Sequence, residues 1–405
     1  MEEPKRGAEE PSAIAPPKVW LLLGERKGDN AQVLALGEAL GWPYEVKELH
    51  FDPDCPTPFH KRGASLIGLD LARSSPLSAP WPDLVLAIGR RSASVSRWIK
   101  ASTGGDAMTV HLGRPRVAFH HFDLIFSTPQ YGLPPGANVV RLDFPITLNR
   151  EAALSRAADE WEPKWAHLPR PWVAVFLGGP TAQLRFDGEV GAELRTKLEA
   201  FLAGKGSLLI TTSPRTSAEV ADQMQAGIEP PHCLFRWSPT EANPYHALLK
   251  LADEFVVTSD SVSMIADSVD RMKPLFVFEL PRRVRPGWRG LVTSARRYLP
   301  LRRQRRQMAG LKADLLDVVY DGLTRLGQAR PRRQTAAFCQ RLYQLGLARP
   351  LATGRAGQDG WTSRRILEEE RNRAVERIRE TYASRSRSRA ADPDGATPAS
   401  CPSPR

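Results

Sequence analysis

Short apolar runs that end in glycine or serine and open straight into a helical pattern recur along this chain. No other feature restricts its fold as much. Residues 18–24 (KVWLLLG) lead through ERKGDN into a helix expected over 31–40, which stops at Gly41 ahead of Pro43. Residues 84–89 (LVLAIG) lead through Arg90 and Arg91 into a helix over 92–100. Runs without polar alternation suit strands buried on both faces, and repeated strand–turn–helix units make a parallel sheet covered by helices. Further strands are expected at 44–51, 108–112, 123–127 and 138–142. The rhythm pauses over 151–171 (EAALSRAADEWEPKWAHLPRP), a polar stretch with three prolines, and then resumes. Strands at 172–178, 207–213, 254–259 and 274–280 alternate with helices at 188–203, from Thr216, at 243–252 and at 261–270. Helices near 312–325 and 335–345 follow.

The reading is an α/β chain of two Rossmann-like, doubly wound domains facing a cleft, with C-terminal helices and a disordered tail. The first domain spans 18–168 after a disordered 1–17, and the second spans 169–350 with a basic segment at 281–310. Residues 351–405 hold a charged helix, expected at 363–382 with a narrow stripe of Ile366, Ala374, Val375 and Ile378, and then a Ser/Arg/Pro-rich tail from 383. In doubly wound sheets ligands bind outside the carboxyl ends of the strands, so both halves aim their turns at the cleft.

Of 405 residues, 41% are hydrophobic and 25% charged, which excludes a wholly disordered or collagen-like chain. No apolar run reaches the ~18 residues of a membrane span. Residues 1–17 have no apolar core of the secretory type. Cys55, Cys233, Cys339 and Cys401 are too scattered for a disulfide framework, so a reduced cytoplasmic compartment is expected. The net charge of +12 is concentrated: Arg282, Arg283, Arg285, Arg289, Arg296, Arg297, Arg302, Arg303, Arg305 and Arg306 lie in thirty residues without an acid. Such a block suits an anionic partner, a membrane leaflet or a phosphorylated acceptor, or else is a solvated surface. Only Trp288 and Tyr298 interleave with it, which disfavours nucleic acid.

Three turns carry the chemistry. In Gly24–Asn30 (GERKGDN), Gly28 permits a tight turn into a helix N-terminus. Asp29 or Asn30 fits a plain N-cap. The functional alternative to that more usual role is that Asp29 projects into the cleft as a general base, kept ionised by Arg26 and Lys27. Gly178, Gly179 and Thr181 end one strand, and Thr212, Ser213 and Arg215 end the next. There, small residues permit close approach of a phosphate, and hydroxyls and an arginine supply donors. The sharpest element is VVTSDSVSMIADSV at 256–269, where Ser259, Asp260, Ser261 and Ser263 crowd a helix start. Four polar side chains exceed what a cap needs, and the helix N-terminus suits a diphosphate. Asp267 sits where a carboxylate could accept from a ribose, or faces solvent. Asp52-Pro53-Asp54 reads as a turn, His50, Cys55 and His60 lack zinc spacing, and no metal is called for. There is no P-loop lysine, G-x-S-x-G or H-E-x-x-H.

Taken in order, GERKGDNAQVLALGEALGWP, PDLVLAIGRRSASVSRWIK, VAVFLGGPTAQLRFD, LLITTSPRTSAEV, NPYHALLKLADEFVVTSDSVSMIADSV and LYQLGLARPL resemble the plant mitochondrial-fission "elongated mitochondria" family and its bacterial homologues. The resemblance covers roughly residues 18 to 350. It implies a GT-B-like glycosyltransferase, with an acceptor in the N-terminal half and a nucleotide-sugar donor in the C-terminal half. Bacterial members are linked to lipopolysaccharide-core or other envelope glycans, and plant members act in fission by recruiting a dynamin. Carried over, Ser259, Asp260, Ser261, Ser263 and Met264 would hold the donor diphosphate and Asp267 the ribose. Gly178, Gly179, Thr181, Thr212, Ser213 and Arg215 would line the donor side, and Asn243 and Tyr245 would brace the nucleotide. Asp29 falls where the class keeps its base, with Gly28, Asn30, Arg90, Arg91 and Ser92 on the acceptor side.

The favoured reading is a metal-independent glycosyltransferase that uses a nucleoside diphosphate sugar as substrate and needs no cofactor. Its acceptor would be an envelope glycan or lipid-linked, at the cytoplasmic membrane face, with the arginine block as anchor. A nucleotide-sugar 2-epimerase shares the fold, but such enzymes carry paired glycines where this chain has Val262 and Ser263. A non-catalytic GT-B scaffold acting through its basic surface and terminal helix is the third reading.

Overall fold

The computed structural model describes residues 16–58, 61–147, 151–283, 298–299, 302–303, 306, 311–329, 331, 333–354 and 365–391. Each half is built on a six-stranded parallel sheet. In the first, β1 (Val19–Leu23), β2 (Tyr44–Glu48), β3 (Leu84–Ile88), β4 (Met108–Leu112), β5 (Leu124–Ser127) and β6 (Val139–Arg141) lie in the order β2-β1-β3-β4-β5-β6. Helices α1 (Lys27–Leu40) and α2 (Gly89–Ser102) cover opposite faces. Successive strand residues point to opposite faces. Val19, Leu21 and Leu23 accordingly pack with Val33, Leu36 and Leu40 of α1, while Trp20 and Leu22 pack with Val95 and Ile99 of α2. Both faces are dry, which is why β1, β3 and β4 are buried at every position.

The second sheet contains β7 (Trp172–Phe176), β8 (Ser207–Thr211), β9 (His232–Phe235), β10 (Glu254–Thr258), β11 (Leu275–Phe278) and the two-residue β12 (Arg349–Pro350), in the order β12-β11-β10-β7-β8-β9. Read from β9, this is the 3-2-1-4-5-6 order of a dinucleotide-binding sheet. Helices α4 (Gly188–Leu202) and α5 (Ala218–Gln225) cover one face. Helices α3 (Glu151–Trp165), α6 (Tyr245–Leu251), α7 (Val262–Val269) and α9 (Thr335–Gln344) cover the other. The edge strand β9 is only half-buried and its apolar run is just Cys233–Phe235, which hides it in the sequence.

Two expectations are corrected. The polar stretch at 151–171 does not close the first domain: α3 packs along α6, and Leu154 and Trp165 are buried in the second core. The terminal helix α10 (Ile366–Ala391) is neither separate nor finished at 382. Its Ile366 and Leu367 lie in the second core, its Ala374, Val375 and Ile378 in the first, so the expected stripe crosses from one domain to the other. It continues to 391 because Arg385 pairs with Asp123 and donates to Gly105 O at 2.9 Å, and Arg389 donates to Asp106 O at 2.6 Å. Residues 1–15 and 392–405 lie outside the described residues. The remaining helix, α8 (Leu315–Arg325), docks on the first domain, where Arg325 Nε donates to Pro135 O at 2.8 Å.

Candidate functional site

Strand order reverses between β7 and β10: β8 and β9 lie to one side, β11 and β12 to the other. The crevice this leaves at the carboxyl ends is floored by Asp260, whose side chain is wholly buried. Its carboxylate accepts from Gly179 N at 3.0 Å and from Thr258 Oγ1 at 2.8 Å, and pairs with Arg215 Nη2 at 2.7 Å. This corrects the role expected of the glycines. A Cβ at Gly178 would lie 2.2 Å from Asp260 Oδ2, and one at Gly179 would lie 2.2 Å from Arg215 O. The space they leave is filled by the chain's own carboxylate and backbone, not reserved for a ligand.

The neighbouring hydroxyls are likewise engaged. Thr181 Oγ1 accepts from Gln183 N and Leu184 N, at 3.2 and 3.0 Å. Thr212 Oγ1 accepts from Trp237 N at 2.7 Å. Ser213 Oγ accepts from Arg215 N at 3.3 Å, and Ser259 Oγ accepts from Leu280 N at 3.0 Å. These four shape the turns from within.

Beyond them α7 presents its first turn. Ser261 is the N-cap residue, buried, with no side-chain cap bond, while Ser263 is exposed. Met264 packs against the second core. Asp267 accepts from Tyr245 Oη at 2.8 Å, and Asn243 Oδ1 accepts from Tyr245 N at 2.9 Å. Asn243 thus fixes the start of α6, and Tyr245 fixes the Asp267 carboxylate.

The first domain has its own switch point between β1 and β3. Helix α1 starts at Lys27, four residues earlier than expected, with Arg26 at the N-cap, so neither Asp29 nor Asn30 is a cap. Asn30 instead clips the turn: it accepts from Gly24 N at 2.9 Å and donates to Gly24 O at 2.7 Å. The Asp29 carboxylate accepts no hydrogen bond among the described residues. A Cβ at Gly89, where φ is +81°, would sit 3.8 Å from Asp29 Oδ2, so the carboxylate lies over the opening of α2. Burial pushes its pKa above the usual carboxylate range, and Arg26 and Arg333 oppose this only in part. Of the two flanking cations, Arg26 acts in the expected direction, joined by Arg333 from the second domain, and burial works against both. A carboxylate with a raised pKa is a stronger base than a solvated one.

The other acceptor-side residues divide. Ser92 Oγ donates back to Ile88 O at 2.6 Å inside α2, and Arg91 pairs with Glu25 at 2.5 Å. Arg90 is exposed at the mouth. Gly28 is one place where the domains meet: a Cβ there would lie 3.8 Å from Ser263 Oγ. The two helix starts, α1 and α7, are thus opposed across the cleft.

Four residues of this cleft escape sequence reasoning: Arg114, Arg116, Tyr131 and Arg333. Tyr131 lies within electrostatic reach of Asp29, Arg26, Arg114 and Arg333. Arg333 Nε donates to Gln130 Oε1 at 2.8 Å, across the domain boundary. Arg114-Pro115-Arg116 directly follows β4, and that placement after an expected strand was the available signal.

The arginine block is only partly a free surface. Arg302 pairs with Asp314 and Asp317, Arg306 with Asp317 and Asp314, and Arg303 with Asp321 at 2.8 Å. Asp317 and Asp321 are buried, so these three arginines hold α8 in place. Arg285, Arg289, Arg296, Arg297 and Arg305 lie outside the described residues. Arg282 and Arg283 rim a cavity of 450 Å³ that also touches Ser259, Glu279 and Arg333. Among the described residues no cluster of His, Cys, Asp or Glu could hold a metal ion, and no helix is long and apolar enough to cross a membrane.

Two doubly wound domains with opposed switch points define a chain of the GT-B architecture. The chain belongs to the mitochondrial fission ELM1 family, whose model matches residues 27–294. It is 29% identical over 219 residues to mitochondrial fission protein ELM1 of Arabidopsis thaliana, covering 48% of this chain and 51% of that protein. This chain therefore spans about half the length of that relative. It is 21% identical over 305 residues to the uncharacterized protein RP120 of Rickettsia prowazekii (strain Madrid E), covering 65% of this chain and 83% of the relative. Among solved structures, a putative UDP-N-acetylglucosamine 2-epimerase from Listeria monocytogenes matches with a TM-score of 0.41 at 13% identity, over 81% of this chain and 95% of that one. A UDP-glucosyltransferase from Polygonum tinctorium matches with a TM-score of 0.41 at 10% identity, over 91% and 99%.

Proposed function

We propose that this chain transfers a sugar from a nucleoside diphosphate sugar, held by the second domain, to a hydroxyl of an acceptor held by the first. The observation that carries the reading is the opposition of two helix starts across one cleft, with a carboxylate free of hydrogen bonds among the described residues at the entrance of one of them. The diphosphate lies against the first turn of α7, and the ribose is met by Asp267 on its Tyr245 support. Asp29 takes the proton of the acceptor hydroxyl as that oxygen bonds to the sugar's anomeric carbon. The bond to the diphosphate breaks with its electron pair, and the N–H groups of α7 receive the growing negative charge. No metal ion or cofactor takes part in this scheme. The acceptor is an envelope glycan or a lipid-linked sugar at the cytoplasmic membrane face.

One observation favours a non-catalytic scaffold instead: Thr181, Thr212, Ser213, Ser259 and Asp260 are all occupied by internal hydrogen bonds. A thermal-shift panel of UDP, GDP, CMP, dTDP and ADP separates the two. A nucleotide at a hundred times its Kd stabilises by about 2.7 kcal/mol, a shift on the order of 5–10 °C. A shift with one nucleoside diphosphate, lost in Asp267→Ala, supports the transferase; no shift with any of them overturns it in favour of the scaffold. Product analysis without acceptor tests the remaining alternative, since a 2-epimerase turns over the nucleotide sugar alone.

A further inference from the structure

The first domain carries a second concentration of arginines, unrelated to the block after β11. Arg26 follows β1, Arg90 and Arg91 follow β3, and Arg114 and Arg116 follow β4, so three neighbouring strands end in guanidinium groups at one edge of the sheet. Arg333 is brought to the same edge from the second domain through its bond to Gln130. Glu25 neutralises Arg91, and Asp29 stands between Arg26 and Arg333.

Arg114 is the telling member. Its Nε and Nη1 are buried without a hydrogen-bond partner among the described residues, and so is the hydroxyl of Tyr320, itself 6% exposed, on α8. Burial and the nearby charges of Arg116 and Arg333 push the Arg114 guanidinium down to about 10, with Tyr131 and Tyr320 acting the other way. Arg116 adopts a φ of +62°, a left-handed conformation that few residues other than glycine accept. Arg114 is desolvated beside the like charges of Arg116 and Arg333, and Arg116 lies on unfavourable backbone, an arrangement that an anion would stabilise.

We infer that the carboxyl edge of β1, β3 and β4 binds a phosphoryl group, with Arg114, Arg116 and Arg90 as its donors, and that the group belongs to the acceptor. Assignment to the acceptor rests on the transferase reading above; phosphate binding itself does not. A planar guanidinium offers paired N–H groups that match two phosphate oxygens, which a neutral sugar cannot use as well. The acceptor is therefore a phosphorylated glycan or lipid, recognised inside the cleft.

The test uses the full chain. Inorganic phosphate at about ten times its Kd should raise Tm by about 2–4 °C over sodium chloride of equal ionic strength. Arg114→Met should lose that shift while its own Tm stays level or rises, because it removes an unpaired buried charge. Should Arg114→Met fail to fold, Arg116→Gly removes a second guanidinium at a position whose backbone suits glycine; phosphate affinity by calorimetry should fall at least about tenfold. A phosphate shift no larger than that of chloride overturns the inference, as does an undiminished shift in Arg114→Met. So does unchanged affinity in Arg116→Gly. UDP shifts recorded in parallel keep the two readings apart: phosphate binding without nucleotide binding retains the site and removes the transferase. Glucose 6-phosphate and dioctanoyl phosphatidic acid, compared at equal phosphate, then show whether a soluble sugar or a lipid carries the group.

Discussion

Substituting Gly178 by alanine tests the central claim about the donor turn, that its glycines serve Asp260. The added Cβ would lie 2.2 and 2.3 Å from the two carboxylate oxygens and 2.5 Å from Cγ, against an ordinary contact of 3.4 Å or more. The carboxylate cannot swing aside, being held by Gly179 N, Thr258 Oγ1 and Arg215. Overpacking of this kind costs about 1–3 kcal/mol, and displacing the carboxylate from its donors adds about 1–3 kcal/mol for buried groups left unsatisfied. Asp260→Ala alone should cost about 1–3 kcal/mol, since it leaves the Gly179 N–H and the Thr258 hydroxyl buried without their acceptor. In the double variant the new methyl group occupies the volume the carboxylate has left, so most of the Gly178→Ala penalty disappears. Urea unfolding of the four proteins, followed by circular dichroism, should give a coupling of about 2–3 kcal/mol. Penalties that add to within about 0.5 kcal/mol would refute the argument, because neighbours sharing one space cannot be independent.

Four further outcomes concern Asp29, His111 and Arg303. Asp29→Asn should lower kcat by about 10²–10⁴-fold with nucleotide binding intact, and should abolish an acid limb of kcat/KM that lies above the usual carboxylate range. Because its folded pKa is raised, Asp29 contributes stability below its unfolded pKa and loses it as pH rises through the folded value. The asparagine variant should therefore gain on the wild type at pH 7 but not at pH 3, by thermal unfolding. His111, fully buried on β4 with both ring nitrogens unpartnered, is held down to about 3 by desolvation. The unfolded chain then binds the extra proton between about pH 6.5 and 3, so stability falls by about 1.4 kcal/mol per pH unit as pH drops through that window, and His111→Phe should flatten the slope. Arg303→Gln, which leaves Asp321 buried and unpaired, should cost about 3–5 kcal/mol in urea unfolding with no loss of binding to anionic vesicles.

The fold was legible because dry parallel strands leave a plain trace: KVWLLLG, LVLAIG and EFVVTS have no polar alternation and run into glycine or serine turns. What escaped was information held in pairing over distance. Strand β9 is marked by its ladder to β8 and not by its composition. The helix at 151–165 looks like a linker until its Leu154 and Trp165 meet α6. The opposition of Gly28 and Ser263, 235 positions apart, is invisible along the chain, and so is the arrival of Arg333 beside Gln130. Hydroxyl-rich turns also read two ways. A serine or threonine at a strand end is as useful to its own backbone as to a phosphate. The sequence cannot say which of the two it serves.

The relation between the domains rests on polar joints rather than on a shared core. The backbone N–H of Asp143, just past β6, donates to Glu370 Oε2 of α10 at 2.7 Å, and its carboxylate accepts from Arg341 of α9 at 2.8 and 2.9 Å. Gln334 N donates to Gln130 O at 2.7 Å beside the Arg333 contact. The 26-residue α10 spans both cores with apolar side chains at separate points along its length. Small polar contacts near a chain crossover permit rotation, whereas buried apolar faces resist it. Closure of the cleft would therefore turn about Asp143 and residues 333–341, with α10 as the strap. It would shift Arg333 relative to Asp29, while Gly28 and Ser263 already stand in contact.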